Sequence, residues 1–485
     1  MTTRRDAEAL LPKATSFIGD TEVVGAAGTR MFVHPGDGVT YAELPLAGPA
    51  DVDAAVAAAR AAFPGWRALA PAARRDLLHG LAGALRERAD QLAALVSLEM
   101  GVPLRASVAG VAQAAEWFAH YAGWADKIGG VTVPAAPGAV HDYTVPSPRG
   151  VVAAIIPWNG PVIAAALKVA PALAAGNCVV LKPSELAPFS SVALAALLTS
   201  AGLPAGVLSV VGGGPDAGAR LVGHEGVDLV SFTGGDRAGR EVGRAAADRH
   251  LPAVLELGGK SASLVFDDVD PVRAGKLGLT LGAVQNSGQG CFLPTRLLVH
   301  RTSYDAVLDA LVAAAAKVRI GDPFDPGTSM GPVVSEAAAQ RILGVIEAAR
   351  DRGDGRLLTG GIRVDRPGSF LAPAVFADVD PASPLAQEEV FGPVLAVTPF
   401  DDEDEAVALA NGTRYGLAGY VWTSDLARAH RVAGRLDAGY VSVNGMAGLP
   451  PGAPFGGWKA SGHGTEGGLD GLREYLRTKN IHVQL

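Results

Sequence analysis

From residue 151 onward the sequence alternates between short apolar stretches typical of buried strands and Ala/Leu-rich stretches with helical periodicity. The strand-like stretches of this first series are VVAAIIP, NCVVLKP, VLSVV and LVSFTGG, with helical stretches such as PVIAAALKVAPALAAG and SSVALAALLTSAG between them. Strands that alternate with helices predict a parallel, doubly wound sheet. The pattern therefore predicts an α/β fold.

A second strand-and-helix series follows the first. Its strands are SASLVF, TRLLVH, VLAVTPF and YVWTS, and its helices lie near 271–286 and in YDAVLDALVAAAAKV. At 485 residues the chain is too long for one ordinary core, so two or three domains are expected. Residues 51–99 and 104–127 predict further helices. The Pro- and Gly-rich stretch IGGVTVPAAPGAVHDYTVPSPRG predicts a hairpin or arm.

Charge and cysteine content narrow the classes of function. A formal net charge of −8 argues against a nucleic-acid partner, which would favour a basic surface. The N-terminus lacks the apolar core of a signal peptide, and Lys168, Pro171 and Asn177 interrupt the longest apolar stretch, which argues against a membrane span. With two cysteines and no Cys/His cluster at zinc spacing, we expect no disulfide framework, no metal and a reducing cytoplasm.

Two glycine-rich loops follow strands and precede helices. VVGGGPDAG places Gly212, Gly214 and Ala217 at dinucleotide-fingerprint spacing, and FTGGDRAG repeats the arrangement with Gly234 and Gly239. Glycine allows a backbone to approach a pyrophosphate, and the following helix start supplies N–H donors. The alternative is that both loops are tight turns.

Two strand ends carry polar side chains at positions where α/β sheets bind ligands. In KPSE, Lys182 and Glu185 can hydrogen-bond a ribose, or they form a solvated pair at a strand exit. In PWNGP, Asn159 carries an amide donor suited to stabilising an oxyanion, although Asn is also a common helix N-cap.

A carboxylate and a thiol complete the candidate chemistry. In LELGGK, Glu256 follows an apolar strand, where it is either a structurally paired carboxylate or a base with a raised pKa. In NSGQGC, Cys291 follows a Gly-rich loop, and it is the better nucleophile candidate of the two cysteines, because a thiol becomes a useful nucleophile where it is partly exposed and electrostatically favoured as the thiolate. Cys178 lies next to a Val-Val-Leu stretch and is typical of a small buried residue.

These motifs occur in a specific order. Asn159, KPSE, FTGG, Glu256 and Cys291 are followed by QEEVFGP at 387–393 and PFGGWKASGHG at 454–464. The series resembles the aldehyde dehydrogenase superfamily from about residue 20 to the end of the chain.

The resemblance implies a role for each matching residue. Cys291 would be the nucleophile that forms a thioester, Glu256 the general base, Asn159 the oxyanion donor, and Lys168 and Glu466 a pair associated with proton movement to the base. NAD would be the cofactor, because a carboxylate at Glu185 disfavours the 2′-phosphate of NADP, although a rotated Glu185 can accommodate it. The cofactor-binding residues implied are Ile155, Ile156, Pro157, Trp158, Lys182, Ser184, Glu185, Gly214, Phe232, Gly234, Gly235, Leu257, Glu389 and Phe391.

The chain departs from the common family pattern near the substrate. Gly235 replaces a frequent serine, and Gly160 and Leu449 replace frequent aromatic residues. The implied substrate tunnel contains Gly160, Ala164, Leu167, Phe292, Leu449 and Phe455, with no Lys or Arg. Such a tunnel would be wider than usual and largely apolar, which predicts a bulky apolar or aromatic aldehyde as substrate. One alternative is a semialdehyde dehydrogenase of the same fold. The others are a cysteine esterase that needs no cofactor and a protein that retains the fold without catalysis.

The resemblance also implies a division into three parts. A Rossmann-like cofactor domain would comprise 1–126 and 147–255, and a second α/β catalytic domain 256–445. A small β oligomerisation arm would combine 127–146 with 467–485. A two-stranded arm is unstable alone, so we expect a homodimer or homotetramer.

Overall fold

The computed structural model describes residues 2–134, 139–446 and 448–484. It confirms the predicted α/β class, with two large sheets whose central strands are parallel. Residues 135–138 and 485, which belong to the predicted arm, lie outside the described residues.

The strands were numbered in chain order. They are β1 Ser16–Ile18, β2 Thr21–Val23, β3 Thr29–Val33, β4 Thr40–Pro45, β5 Thr132–Val133, β6 Val140–Pro148, β7 Val151–Ile155, β8 Cys178–Lys182, β9 Leu208–Val210, β10 Leu229–Thr233, β11 Ala253–Glu256, β12 Ala262–Val265, β13 Arg296–His300, β14 Arg356–Thr359, β15 Ala374–Ala377, β16 Val394–Phe400, β17 Tyr415–Gly416, β18 Ala418–Trp422, β19 Tyr440–Val443, β20 Trp458–Lys459, β21 Gly462–His463 and β22 Leu476–Gln484.

The α-helices are numbered in the same way. They are α1 Arg4–Glu8, α2 Pro49–Ala68, α3 Pro71–Glu87, α4 Ala89–Met100, α5 Leu104–Ala122, α6 Pro161–Ala174, α7 Phe189–Ser200, α8 Pro215–Gly223, α9 Asp236–Asp248, α10 Pro271–Leu279, α11 Tyr304–Ala315, α12 Glu336–Arg352, α13 Pro384–Gln387, α14 Glu403–Asn411, α15 Leu426–Ala433 and α16 Gly468–Glu474.

The first sheet has the strand order β2-β1-β9-β8-β7-β10-β11-β21. Its five central strands, β9, β8, β7, β10 and β11, are parallel to one another. Within this group, a helix connects each strand to the one that follows it in the chain, which is the connection that parallel strands require. β7, β8 and β9 are buried along their whole length, which explains their continuous apolar sequences. β21 comes from the far end of the chain and closes one edge by antiparallel pairing with β11.

The second sheet has the order β14-β15-β16-β13-β12-β18-β19 and is parallel except for β14. Its strands come from residues 262–443, which agrees with the second series of strands in the sequence. β19 forms one edge of this sheet. The exact division into domains stays a prediction.

A separate three-stranded sheet has the order β22-β6-β5. β22 pairs with β6 over nine residues, from Leu476 opposite Pro148 to Gln484 opposite Val140. This sheet contains the predicted arm, but β6 continues beyond residue 146 to Pro148. α16 lies within the predicted tail segment of the arm. It packs into the core of the first sheet and not against the three-stranded sheet alone, because Leu472 is buried in that core.

None of the helices in the described part of the chain is long and apolar enough to cross a membrane. The most apolar helix next to the site, α6, has 14 residues and is buried along most of its length. Its apolar character therefore reflects packing in the core.

Candidate active site

The carboxyl ends of four parallel strands place the predicted groups side by side. Ile155 at the end of β7 is opposite Lys182 of β8, and on its other side it is opposite Phe232 of β10. Thr233 of β10 is opposite Glu256, the last residue of β11. Neighbouring strands lie about 4.8 Å apart, so this row from Lys182 to Glu256 spans about 14 Å.

The loop that carries Cys291 has an irregular backbone. A short π-helical turn at Thr280–Val284 leads into residues 285–288, where Asn286 and Ser287 have φ values of 48° and 53°. Gly288 has a φ of 71°, and a Cβ there would lie 2.1 Å from the carbonyl oxygen of Gly392. Only glycine fits this contact, which holds the thiol loop against the QEEVFGP segment.

The glycine pair after Glu256 allows an equally close approach. A Cβ at Gly259 would lie 2.5 Å from the carbonyl oxygen of Cys291, and one at Gly258 would lie 2.5 Å from Oε2 of Glu389. The Gly259 amide donates to Oε1 of Glu389 at 3.0 Å. The LELGGK, NSGQGC and QEEVFGP motifs therefore meet at one place.

A cavity of about 150 Å³ brings the predicted reactive groups together. Cys291, Glu256 and Asn159 all line it, and Glu466 contributes to the same wall. The predicted tunnel residues also line it, namely Gly160, Ala164, Leu167, Phe292, Leu449 and Phe455.

Sequence reasoning missed several residues of this cavity. Ile163, Thr233, Gln285, Asn286, Gly290 and Leu293 also line it. Helical spacing could have identified Ile163, since residues 160, 163, 164 and 167 lie on one face of a helix. The others depend on the folded shape of the thiol loop and of the strand ends.

Cys291 is partly exposed as a residue, as the sequence predicts, although its thiol group is buried. Its pKa is raised, first by burial of the group and then by the carboxylates of Glu389 and Glu256. The nearby carboxylates of Glu389 and Glu256 therefore disfavour the thiolate. Attack by Cys291 requires that its proton be removed during the reaction.

Asn159 is held by a small hydrogen-bond network. Its Nδ2 donates to the carbonyl oxygen of Gln289 at 3.0 Å, and Nδ2 of Asn286 donates to the backbone carbonyl of Asn159 at 3.1 Å. The alternative role as an N-cap does not apply, because α6 starts after Gly160 without a side-chain cap. A primary amide has two N–H donors, so one remains for a ligand in the cavity.

Glu256 is 3 % exposed, and both of its carboxylate oxygens are buried without a hydrogen-bond partner among the described residues. Its pKa is raised well above the usual range by burial, and additionally by the negative charge of Glu466. The alternative of a structurally paired carboxylate would have required a partner. The arrangement instead is typical of a general base.

Lys168 and Glu466 form a buried ion pair behind Glu256. Nζ of Lys168 lies 2.6 Å from Oε1 of Glu466, and neither side chain is more than 3 % exposed. Lys168 also donates to Oγ of Ser231 at 3.0 Å. The backbone of Glu466 exchanges two 2.7 Å hydrogen bonds with Phe455, which ties the pair to the cavity wall.

At the other end of the row, Lys182 is buried, and burial lowers its pKa to about 8. Its Nζ donates to the carbonyl oxygen of Pro183 at 2.8 Å. Lys182 forms no ion pair with Glu185 in the part of the chain that the structure describes, which disfavours the solvated-pair alternative. Glu185 and Ser184 are half-buried beside it, and Oγ of Ser184 accepts from the Leu186 amide.

The two glycine loops are the N-terminal ends of helices. Gly214 precedes α8 and Gly235 precedes α9, and a Cβ at either position would meet no atom within 4 Å. The amide of Gly234 donates to the carbonyl oxygen of Glu256 at 3.0 Å. This N–H is therefore used in the pairing of β10 with β11 and does not face a ligand. The open approach to both helix starts fits a dinucleotide pyrophosphate.

The remaining predicted cofactor residues surround the mouth of the site. Phe391 has a φ of 51° and packs edge-on against Trp158, with ring centroids 5.5 Å apart. Burial raises the pKa of Glu389 to about 7. Of the other predicted residues, Pro157 lines the cavity, and Ile155, Ile156, Phe232 and Leu257 are buried at or next to the ends of the strands.

Comparison with known proteins decides the family. A model described as "Aldehyde dehydrogenase family" matches residues 24–481. The chain belongs to the aldehyde dehydrogenase family. It is therefore an enzyme of the oxidoreductase type that oxidises an aldehyde.

Relatives of this aldehyde dehydrogenase match nearly the whole chain. A betaine aldehyde dehydrogenase of Cereibacter sphaeroides is 41% identical over 97% of this chain and 97% of its own. The crystal structure of betaine aldehyde dehydrogenase from Staphylococcus aureus in complex with NAD+ is 35% identical, with a TM-score of 0.96 over 99% of this chain and 97% of that one. PnpE from Pseudomonas sp. WBC-3 is 39% identical, with a TM-score of 0.93 over 97% of both chains.

Proposed function

We propose that this aldehyde dehydrogenase oxidises a bulky, apolar aldehyde to its carboxylic acid with NAD, through a thioester on Cys291. The observation that carries the proposal is one cavity in which Cys291, Asn159 and Glu256 meet and the other walls are mostly apolar. A nucleophile, an amide donor and a base are the groups that acyl transfer requires.

The first step forms a bond between Sγ of Cys291 and the aldehyde carbon while the thiol proton leaves to a base. The carbonyl electron pair moves to the oxygen, where Nδ2 of Asn159 and the backbone N–H of Cys291 stabilise the negative charge. NAD, when bound, supplies the acceptor for the hydride that leaves the same carbon.

The second step hydrolyses the thioester. Glu256 accepts a proton from water, the water oxygen bonds to the acyl carbon, and the carbon–sulfur bond breaks to release the acid. The raised pKa of Glu256 makes it a stronger base than an ordinary carboxylate. We assign Lys168 and Glu466 the role of positioning the proton transfer to Glu256, because the charge of Glu466 acts on its pKa.

The fit of NAD rests on groups of the strand-end row. Lys182 and Glu185 would bind the adenosine ribose, and the open start of α9 after Gly235 would face the pyrophosphate. Glu389 and Phe391, which border the thiol loop, would orient the nicotinamide ribose and ring. The carboxylate of Glu185 would accept from a 2′-hydroxyl and repel a 2′-phosphate, which favours NAD over NADP.

Betaine aldehyde is the second candidate substrate, because several relatives are named for it. Recognition of a quaternary ammonium group is strongest on the faces of Trp and Tyr rings. The aromatic rings in the cavity wall are Phe292 and Phe455, which pack edge-on with centroids 6.2 Å apart. The cavity supports an uncharged apolar aldehyde better.

A cysteine esterase would need a base such as histidine beside the thiol. Within residues 139–446 and 448–484, no histidine lines the cavity of Cys291. Glu256 could also serve an esterase, because both reactions end with hydrolysis of a thioester. The activity of an esterase, however, would not depend on NAD. We therefore favour oxidation.

A panel of aldehydes tests the substrate class. With NAD, we expect kcat/KM for benzaldehyde-type aldehydes to exceed that for succinic semialdehyde and betaine aldehyde by about tenfold or more, because transfer from water favours apolar groups. The rate of NADH formation is the measurement, and NADP at the same low concentration is the matched comparison. A preference for the semialdehyde or for betaine aldehyde would contradict the substrate class, and a preference for NADP the role of Glu185.

We also propose that the three-stranded sheet mediates homo-oligomerisation, as a homodimer or homotetramer. Val483 on β22 and Val131 beside β5 are exposed, and Val443 is exposed on β19, the edge strand of the second sheet. Exposed edge strands with apolar side chains favour pairing with another chain. Light scattering should give two or four times the chain mass, and a Val483→Lys variant, which adds a charge to β22, should dissociate into monomers at concentrations at which the wild type stays assembled; a wild-type monomer at micromolar concentration would contradict the proposal.

For the setting we propose the reducing cytoplasm. Cys178 and Cys291 are both free, and the proposed reaction uses the free thiol of Cys291.

A further inference from the structure

A second apolar cavity lies next to the cavity of Cys291. It measures about 220 Å³ and lies between α4, α5, the start of α6 and the thiol loop. Its own walls are Val96, Met100, Val102, Ala106, Gly110 and Val111. The hydroxyl of Ser107 also lines it, but accepts a hydrogen bond from Ser97 at 2.9 Å, so this polar group is satisfied.

The two cavities share a wall. Asn159, Gly160, Ile163, Gln285 and Asn286 line both of them. The proposed oxyanion donor Asn159 is part of this wall, so a carbonyl group beside it would be next to the second cavity.

Gly160 determines how much room this wall leaves. A Cβ at this position would lie 3.0 Å from Cγ2 of Ile163, so any side chain would close the gap between them. Gln285 is exposed, and its side-chain amide forms no hydrogen bond with the described residues, so nothing fixes it across the gap. The wall between the two cavities is therefore thin at this point. It consists of Gly160, the methyl group of Ile163 and the side chain of Gln285, which no hydrogen bond to the described residues holds in place.

We propose that the second cavity binds the distal carbon chain of an elongated apolar aldehyde, which turns past Gly160 while its carbonyl group remains at Cys291. This inference rests on the proposed function. A flexible saturated chain suits the narrow gap between Gly160 and Ile163 better than a ring does. The second cavity adds apolar contact and no reactive group, so it contributes to binding.

A chain-length series of straight-chain aldehydes from propanal to nonanal tests the proposal. Each methylene that leaves water for an apolar wall should raise kcat/KM about threefold to fourfold. Because nonanal has four more methylenes than pentanal, we expect kcat/KM to rise by about 80- to 250-fold between them. The rise should appear mainly in KM, because the tail is bound equally in the ground state and the transition state.

The variant Gly110→Leu fills the second cavity from α5. A Cβ at Gly110 meets no atom within 4 Å, and leucine is a better helix former than glycine, so the variant should fold. The nonanal-to-propanal ratio of kcat/KM should fall by about tenfold. The matched control is Gly344→Leu on α12, another open glycine in a helix, which should leave the ratio unchanged.

The outcomes separate this inference from the proposed function. Failure of the wild-type enzyme to oxidise either propanal or nonanal with NAD would overturn the proposed function. Oxidation of propanal without a rise towards nonanal would overturn only the second-cavity inference. So would an unchanged nonanal-to-propanal ratio in the Gly110→Leu variant.

Discussion

Replacing Cys291 by alanine is expected to reduce the rate of aldehyde oxidation by at least about 10⁴-fold, because the thioester can form on no other atom of the cavity. The remaining groups, Asn159 and Glu256, would still bind and polarise an aldehyde but would have no nucleophile to assist. The measurement is NADH formation with an apolar aldehyde under saturating NAD. Mass spectrometry of the wild-type enzyme mixed with substrate should also show the acyl group on the peptide that contains Cys291.

The chain offers a matched control in its only other cysteine. Cys178 lies fully buried in β8, and burial raises its pKa to about 12, so its thiol is neither accessible nor ionised. Cys178→Ala should retain an activity within about twofold of wild type and lose about 1 kcal/mol of unfolding free energy, since a small buried group is removed. Equal loss of activity in both variants would refute the assignment of Cys291.

Replacing Glu256 by glutamine is expected to separate the two halves of the reaction. Acylation should still release a burst of about one NADH per active site, whereas steady-state turnover should fall by about 10²- to 10⁴-fold, because glutamine cannot accept a proton from water. Glutamine preserves the shape of the side chain, and it replaces a buried carboxyl group whose oxygens have no hydrogen-bond partner among the described residues. Stopped-flow detection of NADH measures the burst and the following rate separately.

The pH dependence gives a second readout for Glu256. Only the ionised carboxylate is a base, and burial and Glu466 raise its pKa, so hydrolysis in the wild-type enzyme should increase with pH through a range well above that of an ordinary carboxylate. This increase should be absent from the residual hydrolysis of the Glu256→Gln variant. A wild-type profile that levels off near pH 4.5 would require a different base for hydrolysis, and a variant without a burst would contradict the restriction of Glu256 to the hydrolytic step.

The parallel order of the first sheet could be predicted, because continuous apolar strands alternated with helices of sufficient length to cross the sheet. The roles of Glu256 and Cys291 depended on their position in an ordered series of motifs. Local sequence alone left Glu256 with the alternative of a structurally paired carboxylate, and it identified Cys291 only as the better candidate of two cysteines.

Other features required the folded chain. The contact of Gly288 with Gly392 and that of Gly259 with Cys291 join segments far apart in sequence, and no local pattern indicates them. The commitment of the Gly234 amide to the sheet is set by the register of β10 against β11. The raised pKa of Cys291 comes first from burial of its thiol and then from the charges of Glu389 and Glu256, and neither the burial nor these distances can be read from sequence.

The pairing of β21 with β11 has a consequence for biosynthesis. Gly462 lies opposite Glu256, and Glu466 reaches Lys168 across a separation of 298 residues. The ribosome therefore releases the nucleophile and the base long before it releases the segment that closes the wall around them. In a partly translated chain Cys291 has no completed pocket, and Lys168 has no counter-charge until the segment around Glu466 has been synthesised. Catalytic competence therefore depends on a segment that the ribosome makes well after both the nucleophile and the base.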